Sequence, residues 1–150
     1  MAEFRKIVEV EKHRLFGKKK GVYDIQRKEL ESTKKEVRNQ ININYPDYIE
    51  YFDELIIIPH KMPERNLAYT GGNVMRINPR IIENKELLKL VILHETAHHI
   101  IHENGGEVSL HDDAFYEVLR NLTGKDEKDS YNERGELKSN VIDVLMGDHQ

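Results

Sequence analysis

Apolar residues recur at helical spacing in three stretches of this chain. Residues 22–37 place them along one face among many charged side chains, which predicts an exposed amphipathic helix. Residues 85–103 carry two adjacent apolar stripes and only a narrow polar one, which predicts a largely buried helix. Asn84 is a favourable N-cap for this second helix, and the glycines that follow Asn104 are suited to ending it. Residues 111–122 repeat the helical spacing and predict a third helix.

Two shorter stretches have the pattern of β-strands. Residues 55–58 are aliphatic, mostly β-branched and followed by proline, which predicts a short buried strand. Residues 73–78 alternate side chains between two faces and stop at Pro79, which predicts a half-buried strand. The intervening residues 61–72 are predicted to form a connecting loop, and a short helix is expected from about Asp47. The order of the elements therefore predicts an α+β fold.

Composition limits the classes of protein to which the chain can belong. Its 150 residues suggest a single domain, predicted to span residues 1–124, followed by an acidic and partly mobile tail over residues 125–150. The longest wholly apolar runs have four residues, so no membrane span is predicted. The first twenty residues lack the apolar region of a secretory signal, which makes a cytoplasmic location the default expectation. Because the chain has no cysteine, metal ligands must be His, Asp or Glu.

Charge is unevenly distributed along the chain. Residues 1–40, which include the predicted basic N-terminal helical region, hold twelve Lys or Arg against seven Asp or Glu. Lys18, Lys19 and Lys20 lie between two glycines in a predicted turn. Such an excess of basic residues can mark a segment that binds nucleic acid. A solvated helix face beside a basic turn is the favoured interpretation, because no aromatic residues alternate with the charges.

The predicted buried helix carries two histidines at the spacing that binds one metal ion. His94, Glu95 and His98 form the pattern His-Glu-x-x-His, and helical side chains at i and i+4 lie one above the other. Glu95 can then act as a base on a water molecule at the ion. A random shuffle of this composition would contain the pattern about 0.05 times. Two unpaired imidazoles on a buried face would be costly, so a metal site is favoured over a pair of core histidines.

A catalytic zinc ion, Zn2+, takes a third protein ligand and leaves one position for water. His102 is separated from His94 by about 12 Å along the helix axis, which is too far for a shared ion. His111 comes after the glycine turn at the start of the third predicted helix, and it is the favoured third ligand. Glu107 is its main rival. His99 falls on the narrow polar stripe, so we expect it to be exposed or to contact the ligands from outside.

The motifs occur in an order that resembles a known family. The segments INPRII, which starts at Ile77, VILHETAHHI and HDDAF lie within about residues 67–122. They are similar to the SprT-like and WLM group of zincin metallopeptidases, in which His-Glu-x-x-His is followed by a third histidine in an His-x-x-x-Phe setting. The resemblance implies a zincin-like domain, in which a small mixed or antiparallel sheet packs on a central active-site helix with further helices. The chain departs from the family at Asp112, where glycine is frequent, and in lacking a cysteine zinc ribbon.

The same resemblance implies roles for the site residues. His94, His98 and His111 would bind zinc, and Glu95 would be the general base of peptide-bond hydrolysis. Residues 73–78 would form the edge strand of the sheet and pair with an extended protein or peptide substrate.

Two other functions remain as alternatives. One is metal-dependent hydrolysis of nucleic acid, which depends on the basic N-terminal segment. The other is a non-catalytic, zinc-stabilised interaction module that uses the strand edge. Tyr69 is a candidate oxyanion donor for the hydrolytic functions, although an ordinary packing role is favoured.

Overall fold

The computed structural model describes residues 20–105 and 113–124, together with Lys138 and Ile142. In chain order its elements are helix α1 (Lys20–Asn44), a 3-10 turn (Pro46–Tyr48), helix α2 (Ile49–Glu54), strands β1 (Ile56–Pro59), β2 (Ala68–Gly71) and β3 (Val74–Ile77), a second 3-10 turn (Pro79–Ile81), and helices α3 (Lys85–Glu103) and α4 (Asp113–Thr123). These elements form a mixed α+β fold with a three-stranded sheet. Residues 1–19 and nearly all of the predicted acidic tail lie outside the described residues.

Helix α1 is longer than the helix predicted over residues 22–37. Its buried side chains form one stripe along the helix: Tyr23, Leu30, Thr33, Val37 and Ile41. Tyr23 begins this stripe, whereas the apolar side chain of Ile25 is left exposed. Thr33 is accommodated inside because its hydroxyl donates a hydrogen bond to the Glu29 carbonyl at 2.9 Å.

The sheet has the strand order β1-β3-β2, in which β3 pairs in parallel with β1 and antiparallel with β2. The prediction that residues 73–78 form the edge strand is therefore wrong, because β3 has a neighbour on both sides. The unpredicted neighbour is β2, which lies within residues 61–72, predicted as a loop. A two-residue turn, Gly72 and Asn73, joins β2 to β3, and Gly72 has a φ of +60°. A type II′ turn has glycine at this position, so a tight hairpin forms although β2 has little apolar content.

Helix α3 packs against α1, α4 and β2, and its bounds confirm the helix predicted over residues 85–103. The N-cap prediction is also confirmed, because the Asn84 side chain accepts a hydrogen bond from the Leu87 backbone N–H at 3.1 Å. Gly105 follows the helix end with a φ of +83°. Glycine adopts this conformation with little steric strain because it has no Cβ. Five side chains of α3 are completely buried: Leu87, Leu88, Ile92, Thr96 and Ala97.

The remaining elements lie close to their predicted positions. The helix expected from about Asp47 is a 3-10 turn that continues into α2, and β1 begins one residue later than predicted. Helix α4 lies within one or two residues of the predicted third helix. In the region of the predicted tail, Ile142 packs against the core. A membrane-spanning helix is absent from the described residues, since each of their helices is too short or too polar for one.

The cap of α3 should have a measurable effect on stability. Asn84→Ala removes the acceptor of the Leu87 N–H and is expected to lower the free energy of unfolding by about 1 kcal/mol. Asn84→Asp keeps an acceptor at the same place and should remain close to the wild type. Urea denaturation of the three proteins measures both effects, and equal stability of the Ala and Asp variants would contradict the capping role.

Candidate metal centre

His94 and His98 lie one turn apart on α3, with their imidazole rings turned toward each other. Their Nε2 atoms are 3.2 Å apart, and the ring centroids are separated by 4.8 Å. Two nitrogens bound to one tetrahedral ion with bonds of about 2.0–2.1 Å would be about 3.3 Å apart. The two rings therefore already have the separation that two ligands of a single metal ion require.

Glu95 completes a cluster whose potential ligand atoms all lie within 4.8 Å of one another. Its Oε2 is 4.0 Å from the His94 Nε2, farther than two ligands of one tetrahedral ion would be. The carboxylate therefore lies beside the histidine pair. The three side chains can together hold a metal ion.

Strand β2 holds the Glu95 carboxylate in place. The Thr70 hydroxyl donates a hydrogen bond to Glu95 Oε1 at 3.0 Å, and the Thr70 backbone provides a second one. Burial raises the pKa of the Glu95 carboxyl to about 7, and the two hydrogen bonds from Thr70 oppose this change only in part. A carboxyl with such a pKa can both take up and release a proton near neutral pH.

Helix α4 fixes the histidine rings from the other side. Phe115 is completely buried, and its ring stacks on His98 with a centroid separation of 4.5 Å and an interplanar angle of 28°. The same ring meets His94 edge-on at 5.0 Å and 67°. One aromatic side chain therefore restricts both imidazoles, which lowers the entropy that they would lose on binding an ion.

Among the described residues, this cluster contains His94, Glu95 and His98 and no third histidine. His111 and its rival Glu107 both lie outside the described residues, so the choice between them stays a prediction. His102 is exposed and does not join the cluster, in agreement with its predicted exclusion.

Two environments were expected for His99, exposure to solvent or contact with the ligands from outside, and the first of them is wrong. His99 is only 9% exposed, and its Nδ1 shares a short hydrogen bond with the Tyr48 hydroxyl. The other ring nitrogen, Nε2, lies 3.4 Å from Glu103 Oε1. Burial lowers the pKa of His99, and the nearby Glu103 charge acts in the opposite direction. The 3-10 turn before α2 brings Tyr48 over this face of α3, a long-range contact that helical periodicity does not reveal.

Thr70 is the site residue that sequence reasoning missed, because its strand was predicted as a loop. The glycine-containing turn before Val74 was the available signal for a hairpin. Tyr69, the candidate oxyanion donor, is 58% exposed, and its ring lies 5.5 Å from the Arg76 guanidinium. Successive side chains of a strand point to opposite faces, so Tyr69 points away from the Glu95 carboxylate that Thr70 contacts. The packing role is the one that the geometry supports.

Comparisons with protein-family models, with curated proteins and with solved structures found no match to this chain.

In metal-free protein, Glu95 is expected to reduce stability as the pH rises. Its pKa increases from an ordinary value of 4.5 to about 7 on folding, so the folded state keeps a proton that the unfolded chain releases. The contribution of the Glu95 proton to the free energy of unfolding is fully present below pH 4.5 and is lost by pH 7. Its loss lowers the free energy of unfolding by roughly 3 kcal/mol. Urea denaturation in the presence of a chelator, over pH 4 to 8, measures this change.

Glu95→Gln is the matched control for that measurement, because it keeps the shape of the side chain but cannot titrate. The histidines contribute to the pH dependence of both proteins, so the difference between the two curves isolates Glu95. Parallel curves for the wild type and the variant would contradict the buried, proton-holding carboxyl.

Proposed function

We propose that the protein is a zinc-dependent metallopeptidase with a zincin-like fold. The observation that carries this proposal is the pair of imidazole Nε2 atoms 3.2 Å apart beside the buried Glu95 carboxylate. This is the chemistry of a hydrolase that activates water: two neutral nitrogen ligands, and a base that is close to them but separate from them.

Zinc suits this donor set because it accepts imidazole nitrogens and tolerates four-coordinate geometry. We assign His94 and His98 as two ligands and His111 as the third. Support for His111 comes from Phe115, which follows it by four residues and packs on the rings of both other histidines. The chain offers no cysteine to compete for the ion.

When bound, zinc would polarise the scissile carbonyl and make a coordinated water more acidic. Glu95 accepts the proton of the attacking water and later donates it to the leaving amine. The Thr70 hydroxyl holds Oε1 of this carboxylate, and Oε2 lies 4.0 Å from the His94 Nε2. Phe115 excludes solvent from one side of the histidine pair because it is completely buried against both rings.

Strand β2 is the strand on which we propose that the peptide substrate binds. Among the strands that the structure describes, β2 pairs with one neighbour only, and Thr70 at its centre contacts Glu95. Gly71 and Val74 flank a two-residue turn, so the backbone groups of Thr70 and Ala68 point away from β3. The Thr70 N–H is already bonded to Glu95, so the groups that can bind an extended peptide beside the base are the Thr70 C=O and the N–H and C=O of Ala68.

The alternatives can be separated from this proposal. Nucleic-acid hydrolysis depends on the basic segment at Lys18, Lys19 and Lys20, whose side chains lie outside the described residues, and it stays a prediction. A non-catalytic interaction module would need the metal but not the base.

Glu95→Gln tests the mechanism directly. The variant should retain zinc, because its side chain is not a ligand, and should lose peptide hydrolysis by at least about 100-fold, because no base takes the water proton. Metal analysis of the purified protein and cleavage of a peptide library, followed by mass spectrometry, provide the two measurements. Glu86→Gln, an exposed position on the same helix, is the matched control. Full activity of Glu95→Gln would rule out this mechanism.

Substitution of the proposed ligands should reduce zinc binding, which Glu95→Gln should leave intact. His94→Ala, His98→Ala and His111→Ala should each weaken zinc binding by more than about 100-fold, since even partners of ligands contribute 10–100-fold. His102→Ala is the control on the same helix and should bind zinc normally. Zinc binding that is unchanged in His111→Ala but lost in Glu107→Ala would transfer the third-ligand role to Glu107.

The edge of β2 is tested by Ala68→Pro. Proline removes the Ala68 N–H, which points away from β3, and so should leave the pairing of β2 with β3 intact. The loss of one hydrogen bond to the peptide should raise KM about 3–10-fold with a smaller effect on kcat. Ala68→Val keeps the N–H and is the control. An unchanged KM in the proline variant would place the substrate elsewhere.

A further inference from the structure

A cleft of about 370 Å³ lies between the C-terminal end of α3 and the segment that joins α1 to α2. We call it the aromatic cleft, and the residues that give it its character are Tyr45, Asp47, Tyr48, Tyr51, Ile100 and Glu103. It is separate from the metal centre, since neither His94, Glu95 nor His98 lines it. Its volume falls in the range of about 300–1,000 Å³ that is typical of small-ligand sites.

Tyrosine rings form one wall of the aromatic cleft. Tyr48 and Tyr51 stack with their centroids 6.1 Å apart and an interplanar angle of 26°. Tyr48 is buried, whereas Tyr51 is 48% exposed and so keeps part of its ring available. The face of an aromatic ring carries partial negative charge and attracts cations.

Carboxylates supply the charge of the aromatic cleft. Asp47 and Glu103 both line it, and none of the described residues that line it is Lys or Arg. Glu103 keeps 29% of its side chain exposed while one oxygen faces His99 Nε2 at 3.4 Å. Tyr48 binds the opposite nitrogen of the same imidazole. The buried His99 therefore orients a tyrosine and a carboxylate that belong to the same cleft.

We propose that the aromatic cleft binds an organic cation, namely a guanidinium or ammonium group on a short aliphatic chain. Asp47 and Glu103 provide charge-assisted hydrogen bonds to the cationic group, and the Tyr51 ring provides a cation–π surface. Ile100 offers an apolar contact for the aliphatic chain. Such a group occurs on an arginine or lysine side chain of a polypeptide and also on a free amine.

Binding of N-acetyl-arginine amide to the full-length Glu95→Gln protein tests this proposal without any cleavage reaction. The matched uncharged probe is N-acetyl-norleucine amide. We expect the arginine probe to bind at least tenfold more tightly and to shift the NMR signals of Tyr48, Tyr51 and Ile100. We also expect its affinity to fall as the salt concentration increases. Equal affinity for the two probes, or no binding of the arginine probe, would overturn the proposal.

Substitutions locate the binding within the molecule. Glu103→Gln and Asp47→Asn should each weaken the arginine probe about tenfold, which is the scale of one charge-assisted hydrogen bond. Glu83→Gln, an exposed position at the other end of α3, should bind the probe like the parent protein. Asp47 is also exposed, so that variant remains informative if Glu103→Gln fails to fold. Undiminished binding in both cleft variants would overturn the proposal.

A peptide with arginine at its centre distinguishes the two sources of the cation. If the peptide binds at least tenfold more tightly than N-acetyl-arginine amide, the result supports a polypeptide side chain as the ligand. Equal affinity supports a free cation. Because the metal centre is already inactivated by Glu95→Gln, the result does not depend on whether the protein is a peptidase.

Discussion

Helix α3 buries polar side chains inside an otherwise apolar environment, and three other elements of the described fold contact most of them. A buried polar group without a partner costs several kcal/mol in an apolar medium. Three of these groups are contacted by different elements: Glu95 accepts a hydrogen bond from β2, the rings of His94 and His98 pack on Phe115 of α4, and His99 shares a hydrogen bond with the 3-10 turn before α2. The buried Thr96 hydroxyl is the exception, because it has no hydrogen-bond partner among the described residues. The site and the tertiary structure thus depend on the same contacts.

Local pattern was sufficient to predict the elements that depend on local rules. The bounds of α3, its Asn84 cap and the position of α4 follow from periodicity, capping and glycine placement. The His-Glu-x-x-His cluster also follows, because its geometry is set by a single helix. The same reasoning could not reveal what faces that helix, since the partners of Glu95 and His99 are 25 and 51 residues away in the chain.

The errors of prediction share one physical cause. Strand β2 has the sequence Ala-Tyr-Thr-Gly, which has neither apolar alternation nor a run of β-branched residues, and it exists because a tight turn delivers it to β3. Its presence moves residues 73–78 from the edge of the sheet to the centre. Exposure to water, one of the two environments expected for His99, was wrong because the polar stripe of α3 was assumed to face water, whereas Tyr48 covers His99. In both cases tertiary packing overrides the local pattern.

The hairpin turn at Gly72 also determines which side chain meets the buried Glu95 carboxylate. Strand side chains alternate with a period of two, so a slip of one residue in the pairing of β2 with β3 would exchange the two faces of β2. Thr70 would then turn outward, and the phenol of Tyr69 would face Glu95 in place of a small hydroxyl. The length of a two-residue loop thus sets the hydrogen-bonding environment of a buried carboxyl on another element. Insertions or deletions at this loop should be far less tolerated than substitutions on the exposed face of the same strand.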